Sequence, residues 1–242
     1  KCKIFKRCRC KNLKKMIKEK IKYGSSLYKM YLYYHLYIKE KFYIKRRTYS
    51  QNQEDLFISE YFKNKKKGFY LDIGAYHPIK FSNTQLLYNK GWHGMNIDLN
   101  QVSIDCFKII RKRDNNIRAA ISNKIIKKKI YSNDFFHPTN SLVEKHFKKH
   151  NEHFSEKNIF YLKTRRINNL ISKKIDFLNI DIEGLDLKVI KDIKLKKLRP
   201  ELICVEMLNL KEKRECVNFL KKFNYKIIKK IKDNLFFSKI DI

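Results

Sequence analysis

The chain has no Gly-x-Gly-x-x-Gly, no Cys-x-x-Cys pair and no apolar run long enough to cross a bilayer. The first absence argues against a pyrophosphate ligand, because a dinucleotide cradle needs those glycines to open a helix. The second leaves six cysteines, at 2, 8, 10, 106, 204 and 216, without a redox pair. Cys106, Cys204 and Cys216 fall inside apolar elements and read as small buried residues; Cys2, Cys8 and Cys10 lack a fourth metal ligand. That usage suits a reducing compartment and no secretory leader is visible, so a cytoplasmic location is expected, although the chain begins at Lys1. Acidic residues are scarce, 24 against 57 basic ones, giving a net charge of +33. Such an excess points toward nucleic acid or an anionic membrane. Arginine, the better bidentate reader of phosphate, supplies only 11 of the 57. Abundant lysine alongside isoleucine and asparagine reads more simply as the drift of an AT-rich genome, a solvated surface with no partner.

What is present centres on residues 68 to 98. Phe69 to Ile73 is a short apolar run, broken only by Asp72 and stopped by Gly74, as a buried parallel strand ending in a tight turn would be. Met95 to Asp98 repeats the pattern. Two parallel strands, each delivering an acid at its carboxyl end, form half of a nucleotide-type site. Gly74 would let the backbone approach a ligand, and Asp98 would accept hydrogen bonds from a ribose diol. S-adenosyl-L-methionine has the ammonium, sulfonium and ribose that such acids suit.

At 242 residues the chain can bury a full core. Residues 1–48 are expected to form a basic, tyrosine-rich helical extension, and 49–242 the main domain. Leu27 to Ile38 carries five tyrosines and is too polar to span a membrane. Packing on the domain is the preferred reading of that stretch, with peripheral contact to an anionic membrane through residues 11–47 the alternative. Ser50 is expected to cap a helix with Gln53 reaching back, and Ser82 to cap a second helix ending at Gly91. A helix over 100–113, strands over 117–121 and 125–131, and an extended piece over 159–164 follow. Ile175 to Gly184 is another buried strand ending in acids and a glycine, followed by a helix over 185–193. Glu201 to Glu206, a helix over 211–223 and a terminal hairpin close the chain. The order implies a mixed α/β sheet of about seven strands covered on both faces.

These residues resemble the FkbM-type S-adenosylmethionine-dependent methyltransferases. The likeness rests on Ser50-Gln51 with Glu54-Asp55, Leu71-Asp72-Ile73-Gly74-Ala75 with His77-Pro78, Ser82-Asn83-Thr84, Gly91-Trp92 with Gly94, Asn96-Ile97-Asp98, and Leu178 through Asp181-Ile182-Glu183-Gly184. It implies a class I methyltransferase fold, a Rossmann-like three-layer sandwich with sheet order 3-2-1-4-5-7-6, and O-methylation of a sugar, glycan or related metabolite hydroxyl. Tyr76 departs from the family, which usually has Asn there.

Within that resemblance, Asp72, Gly74 and Ala75 are assigned to the methionine end of the cofactor and Asp98 to the ribose. Ala120 and Ile121 would flank the adenine, and Asn100 is a ribose candidate that otherwise caps its helix. A hydroxyl acceptor must lose a proton, which calls for a base within reach. Asp181 and Glu183 are the candidates, with His77 third and His137 weaker. Glu206 could join the two acids around Mg²⁺, but ordering the rim is the simpler account, so no metal is assigned. Two rivals stand beside this reading: a nucleic-acid methyltransferase, and a non-catalytic protein of this fold tethered to a membrane surface.

Overall fold

The computed structural model describes residues 21–40, 46–132, 140–141, 159–182 and 184–240. The chain divides into two compact units, Lys1–Lys45 and Arg46–Ile242.

In the first unit, α1 (Ser26–Tyr33) is capped by Ser25, whose side chain accepts from the Tyr28 amide, and continues into a wider π segment, Tyr34–Lys39. Tyr28, Leu32 and Leu36 are buried at i, i+4, i+8 spacing. No helix among the described residues is long and apolar enough to cross a membrane.

The second unit opens with α2 (Glu54–Tyr61), β1 (Phe69–Ile73), α3 (Gln85–Asn89), β2 (His93–Asp98), α4 (Gln101–Ile110) and β3 (Asn115–Arg118). An excursion follows: β4 (Lys127–Ser132), β5 (Asn140–Ser141) and β6 (Ile159–Lys163). The chain then returns with β7 (Phe177–Ile180), α5 (Asp186–Asp192), α6 (Leu195–Leu198), β8 (Leu202–Glu206), α7 (Leu210–Lys221), β9 (Tyr225–Ile231) and β10 (Asn234–Lys239). The main sheet has the order β3-β2-β1-β7-β8-β10-β9. Numbered within this sheet alone, that is 3-2-1-4-5-7-6, the expected order. Only β10 runs antiparallel to its neighbours. Strands 4 to 6 form a separate small sheet, so the expected strand over 125–131 belongs to the excursion.

Alternation along the strands separates two cores. Leu71, Ile73, Met95, Ile97, Leu178, Ile180, Ile203 and Val205 face a large apolar cluster with α5 and α7. Tyr70, Phe177, Leu202, Cys204 and Phe236 face the other way, against Ile58, Phe62 and Trp92. Cys106, Cys204 and Cys216 are all buried, as expected, and burial pushes the Cys106 and Cys216 thiols up to about 12, which leaves them unreactive. β9 is the outer strand on one side, with Lys226, Lys229 and Lys230 exposed along it.

Two helix starts differ from expectation. The capping partner of Ser50 is Asp55, not Gln53. The Ser50 hydroxyl accepts from the Asp55 amide at 3.2 Å and donates to Oδ1 at 2.8 Å, while Asp55 Oδ2 takes the Tyr49 amide at 2.6 Å. Ser82 does not cap α3, which begins after Thr84; its hydroxyl is held by a buried arginine instead.

Candidate functional site

Register puts the polar side chains together. Asp72 pairs with Asn96 on one side and Asn179 on the other, so Asp98 and Asp181, each two residues further along, share its face at the carboxyl ends of the strands. Beyond β1 the chain turns at Gly74. Its amide and that of Ala75 both donate to the Ile97 carbonyl, at 2.9 and 3.1 Å, which draws the turn toward the end of β2. A Cβ on Gly74 would lie 1.7 Å from the Asp181 carbonyl oxygen, and φ is +83°. The glycine is therefore required by the neighbouring strand's backbone, whatever a ligand also needs.

Asp98 closes this turn. Its Oδ2 accepts from the Tyr76 amide at 2.9 Å and its Oδ1 from the Asn100 amide at 2.7 Å. Burial lifts its carboxyl to about 6; the Asn100, Tyr76 and Leu99 amides oppose that rise, and Asp72 adds to it. A carboxylate has about four lone-pair directions, so with three amides on it Asp98 keeps the capacity to accept from one further hydroxyl. That acceptor fits a hydroxyl of a ribose.

Asp72 is engaged differently. It is buried, with Oδ2 accepting from Thr84 Oγ1 and Oδ1 from Asn179 Nδ2, each at 2.8 Å. Burial raises its pKa, opposed by those two bonds and by Arg111. Thr84 Oγ1 in turn accepts from Arg111 Nη1 at 2.7 Å, and Asn179 Oδ1 from Asn83 at 3.1 Å. Arg111 is fully buried and also donates to the Pro78 carbonyl, Ser82, Gln85 and Tyr70, with Asp114 3.9 Å away. Asp72 thus anchors the turn from beneath through this internal chain of bonds. Sequence reasoning missed Arg111 and Asn179. The available signal was Ser82-Asn83-Thr84, a polar triplet in an otherwise apolar stretch, which needed a buried partner.

The remaining candidates fall in distinct places. His77 is buried, and its Nδ1 accepts from the Ile79 and Lys80 amides at 3.1 and 3.0 Å. A neutral ring so held carries its proton on Nε2, so His77 presents a donor and not the expected base. Asn100 caps α4 through the Val102 amide at 2.8 Å. Ala120 and Ile121, just past β3, are buried in the same apolar cluster as Ile73 and Ile97. Asp181 is part-exposed at the end of β7, whereas Glu183 and His137 lie outside the described residues. After β7, Asp186 ties the loop by accepting from the Ile182 and Gly184 amides at 2.9 and 3.0 Å. Among the described residues no group of three or more His, Cys, Asp or Glu is arranged to hold a metal.

Beyond the turn, Tyr76 and Phe81 both have left-handed backbones, φ +57° and +54°, and their rings stack with centroids 6.0 Å apart. A bulky residue in that region is strained by about 1–2 kcal/mol, which asparagine tolerates better. Tyr76→Asn is expected to raise stability by about 1 kcal/mol, less whatever the stack contributes. A thermal melt unchanged or lowered would refute that accounting.

A profile of the methyltransferase FkbM domain matches residues 72–233, about two thirds of the chain, spanning β1 to the turn before β10. The chain belongs to the FkbM methyltransferase family. Among solved structures it is similar to the FkbM methyltransferase from Methylobacillus flagellatus KT, with 12% identity and a TM-score of 0.47 over 93% of this chain and 57% of that one. This member of the FkbM family therefore spans little more than half the length of that protein. It is also similar to precorrin-6y C5,15-methyltransferase from Geobacter metallireducens GS-15, at 11% identity and a TM-score of 0.43 over 82% and 92%. No curated protein matches.

Proposed function

We propose that this FkbM-family chain is an S-adenosylmethionine-dependent methyltransferase that methylates a hydroxyl of a sugar, glycan or related metabolite. The observation that carries the reading is the Asp98 carboxylate, held by the Tyr76, Asn100 and Leu99 amides at the carboxyl end of β2 beside the Gly74 turn. Asp98 would hold the ribose, with the turn at Gly74 and Ala75 along the methionine portion. When bound, the cofactor supplies a methyl group activated by its sulfonium. The chain's own part is to orient the acceptor, where positioning can contribute roughly 7–11 kcal/mol, and to take its proton. Asp181, part-exposed on the same sheet face as Asp98, is the described residue best disposed to receive that proton.

The Asp98 carboxyl makes the reading testable. Because its pKa is raised from 3.8 to about 6, the folded state holds the proton more tightly than the unfolded chain does. Its ionisation therefore weakens the fold as pH climbs between those values, while supplying the charge that grips a ribose hydroxyl. Calorimetric affinity for S-adenosylmethionine is expected to rise from pH 5 to pH 7 and to level off above. Asp98→Asn should bind about 10–100-fold more weakly at neutral pH, the loss of charge-assisted hydrogen bonds, and show no such pH dependence. Equal affinity for the two proteins, or no binding by the wild type, would remove the assignment.

A further inference from the structure

The first unit exposes apolar surface that nothing in the methyltransferase reading uses. Leu27, Met30, Tyr33, Tyr34, Tyr37 and Ile38 are each between 46% and 66% exposed. Their spacing follows one side of α1 and the π segment, opposite the buried side carrying Tyr28, Leu32 and Leu36. The segment thus has two apolar faces, one of them turned to solvent. Soluble monomers rarely present a contiguous apolar patch of this kind unless something covers it.

Charge selects the occupant. Residues 1–48 hold 17 lysines and arginines against two acids, Glu19 and Glu40, whereas residues 49–242 hold 40 against 22. Compositional drift acts on the whole chain and does not account for that concentration. A second copy would bring the same basic segment against itself, since two-fold contacts pair identical patches. Nucleic acid would satisfy the lysines and leave Leu27, Met30 and Ile38 wet. A lipid surface bearing anionic headgroups satisfies both, and tyrosine, with a polar tip on an apolar ring, suits the depth of the headgroups. Fourteen residues at about 1.5 Å each reach roughly 21 Å, short of a hydrocarbon core of about 30 Å, so the segment lies along the surface. We propose that residues 26–39 form an interfacial anchor, with the exposed side of this helix set into an anionic membrane and Lys22, Lys29 and Lys39 on the headgroups.

Sedimentation of the full chain with vesicles tests this. With phosphatidylcholine containing about 30% phosphatidylserine, binding is expected, falling several-fold in pure phosphatidylcholine and again when salt rises from about 0.1 M to about 0.5 M. The variant Leu27→Ser/Met30→Ser/Ile38→Ser keeps every charge and should bind at least tenfold more weakly, with its melting curve unchanged because all three side chains are exposed. If that variant binds as the wild type does, basic charge alone is responsible and the anchor is wrong. The proposal also fails if the wild type ignores anionic vesicles, or if it forms a dimer that the triple variant abolishes. Selective binding of single-stranded RNA in place of vesicles would likewise overturn it.

Discussion

Replacing Arg111 by methionine is expected to cost about 3–5 kcal/mol of folding stability, because it leaves a buried acid without its cation. For a chain of this length that is a fall in melting temperature of about 10 °C. The guanidinium is wholly buried and donates to the Pro78 carbonyl, Ser82, Thr84, Gln85, Tyr70 and Asn96, so its removal strips six acceptors at once. It also withdraws positive charge from Asp114 and, through Thr84, from Asp72. Arg111→Lys should recover only part of the loss, since an ammonium with three donors cannot span the fork that a planar guanidinium fills. The control is Arg166→Met, which breaks a surface pair with Asp192 and should barely move the melt. Equal shifts for the two methionine variants would mean that the buried network adds nothing.

Gly74→Ala is expected to be the more damaging change, at 4 kcal/mol or about that much, beyond the range of most single substitutions. The new methyl carbon meets the Asp181 carbonyl at 1.7 Å, and backbone cannot move aside as a side-chain tip can. Separating β1 from β7 would break the bond from the Asp181 amide to the Ile73 carbonyl, and with it the edge on which the proposed ribose and acceptor sites meet. Gly91→Ala isolates the conformational cost. Gly91 also has a left-handed φ, +92°, but nothing lies within 4 Å of its Cβ position, so it should lose only about 1–2 kcal/mol. Expression of soluble protein and urea unfolding would separate the two, and similar values would show that strand crowding is relieved cheaply.

The sheet was legible because its strands are compact apolar runs between charged segments. Phe69 to Ile73 and Leu202 to Glu206 have few other readings, and the α/β alternation then leaves little choice of topology. The carboxyl-end acids were legible for the same reason, since they interrupt those runs. Their bonding partners were not. Arg111 sits at the end of a helix in a lysine-rich chain, where a basic residue normally means solvent, and its acceptors lie 15 to 41 positions away. Periodicity within an element cannot report such contacts. The bonding of His77 was not legible for a related reason: its two donors are amides only two and three residues on, set by turn geometry that side-chain identities do not encode.

The lysines along β9 give part of the chain's excess charge a physical task. A terminal strand has one row of amides and carbonyls with no neighbour in its own sheet, and a matching strand from another molecule would fit against it. Lys226, Lys229 and Lys230 confront any such visitor with its own like charges. Neutralising them would be felt first in the colloidal behaviour of concentrated solutions, where the border of the sheet would no longer repel its twin.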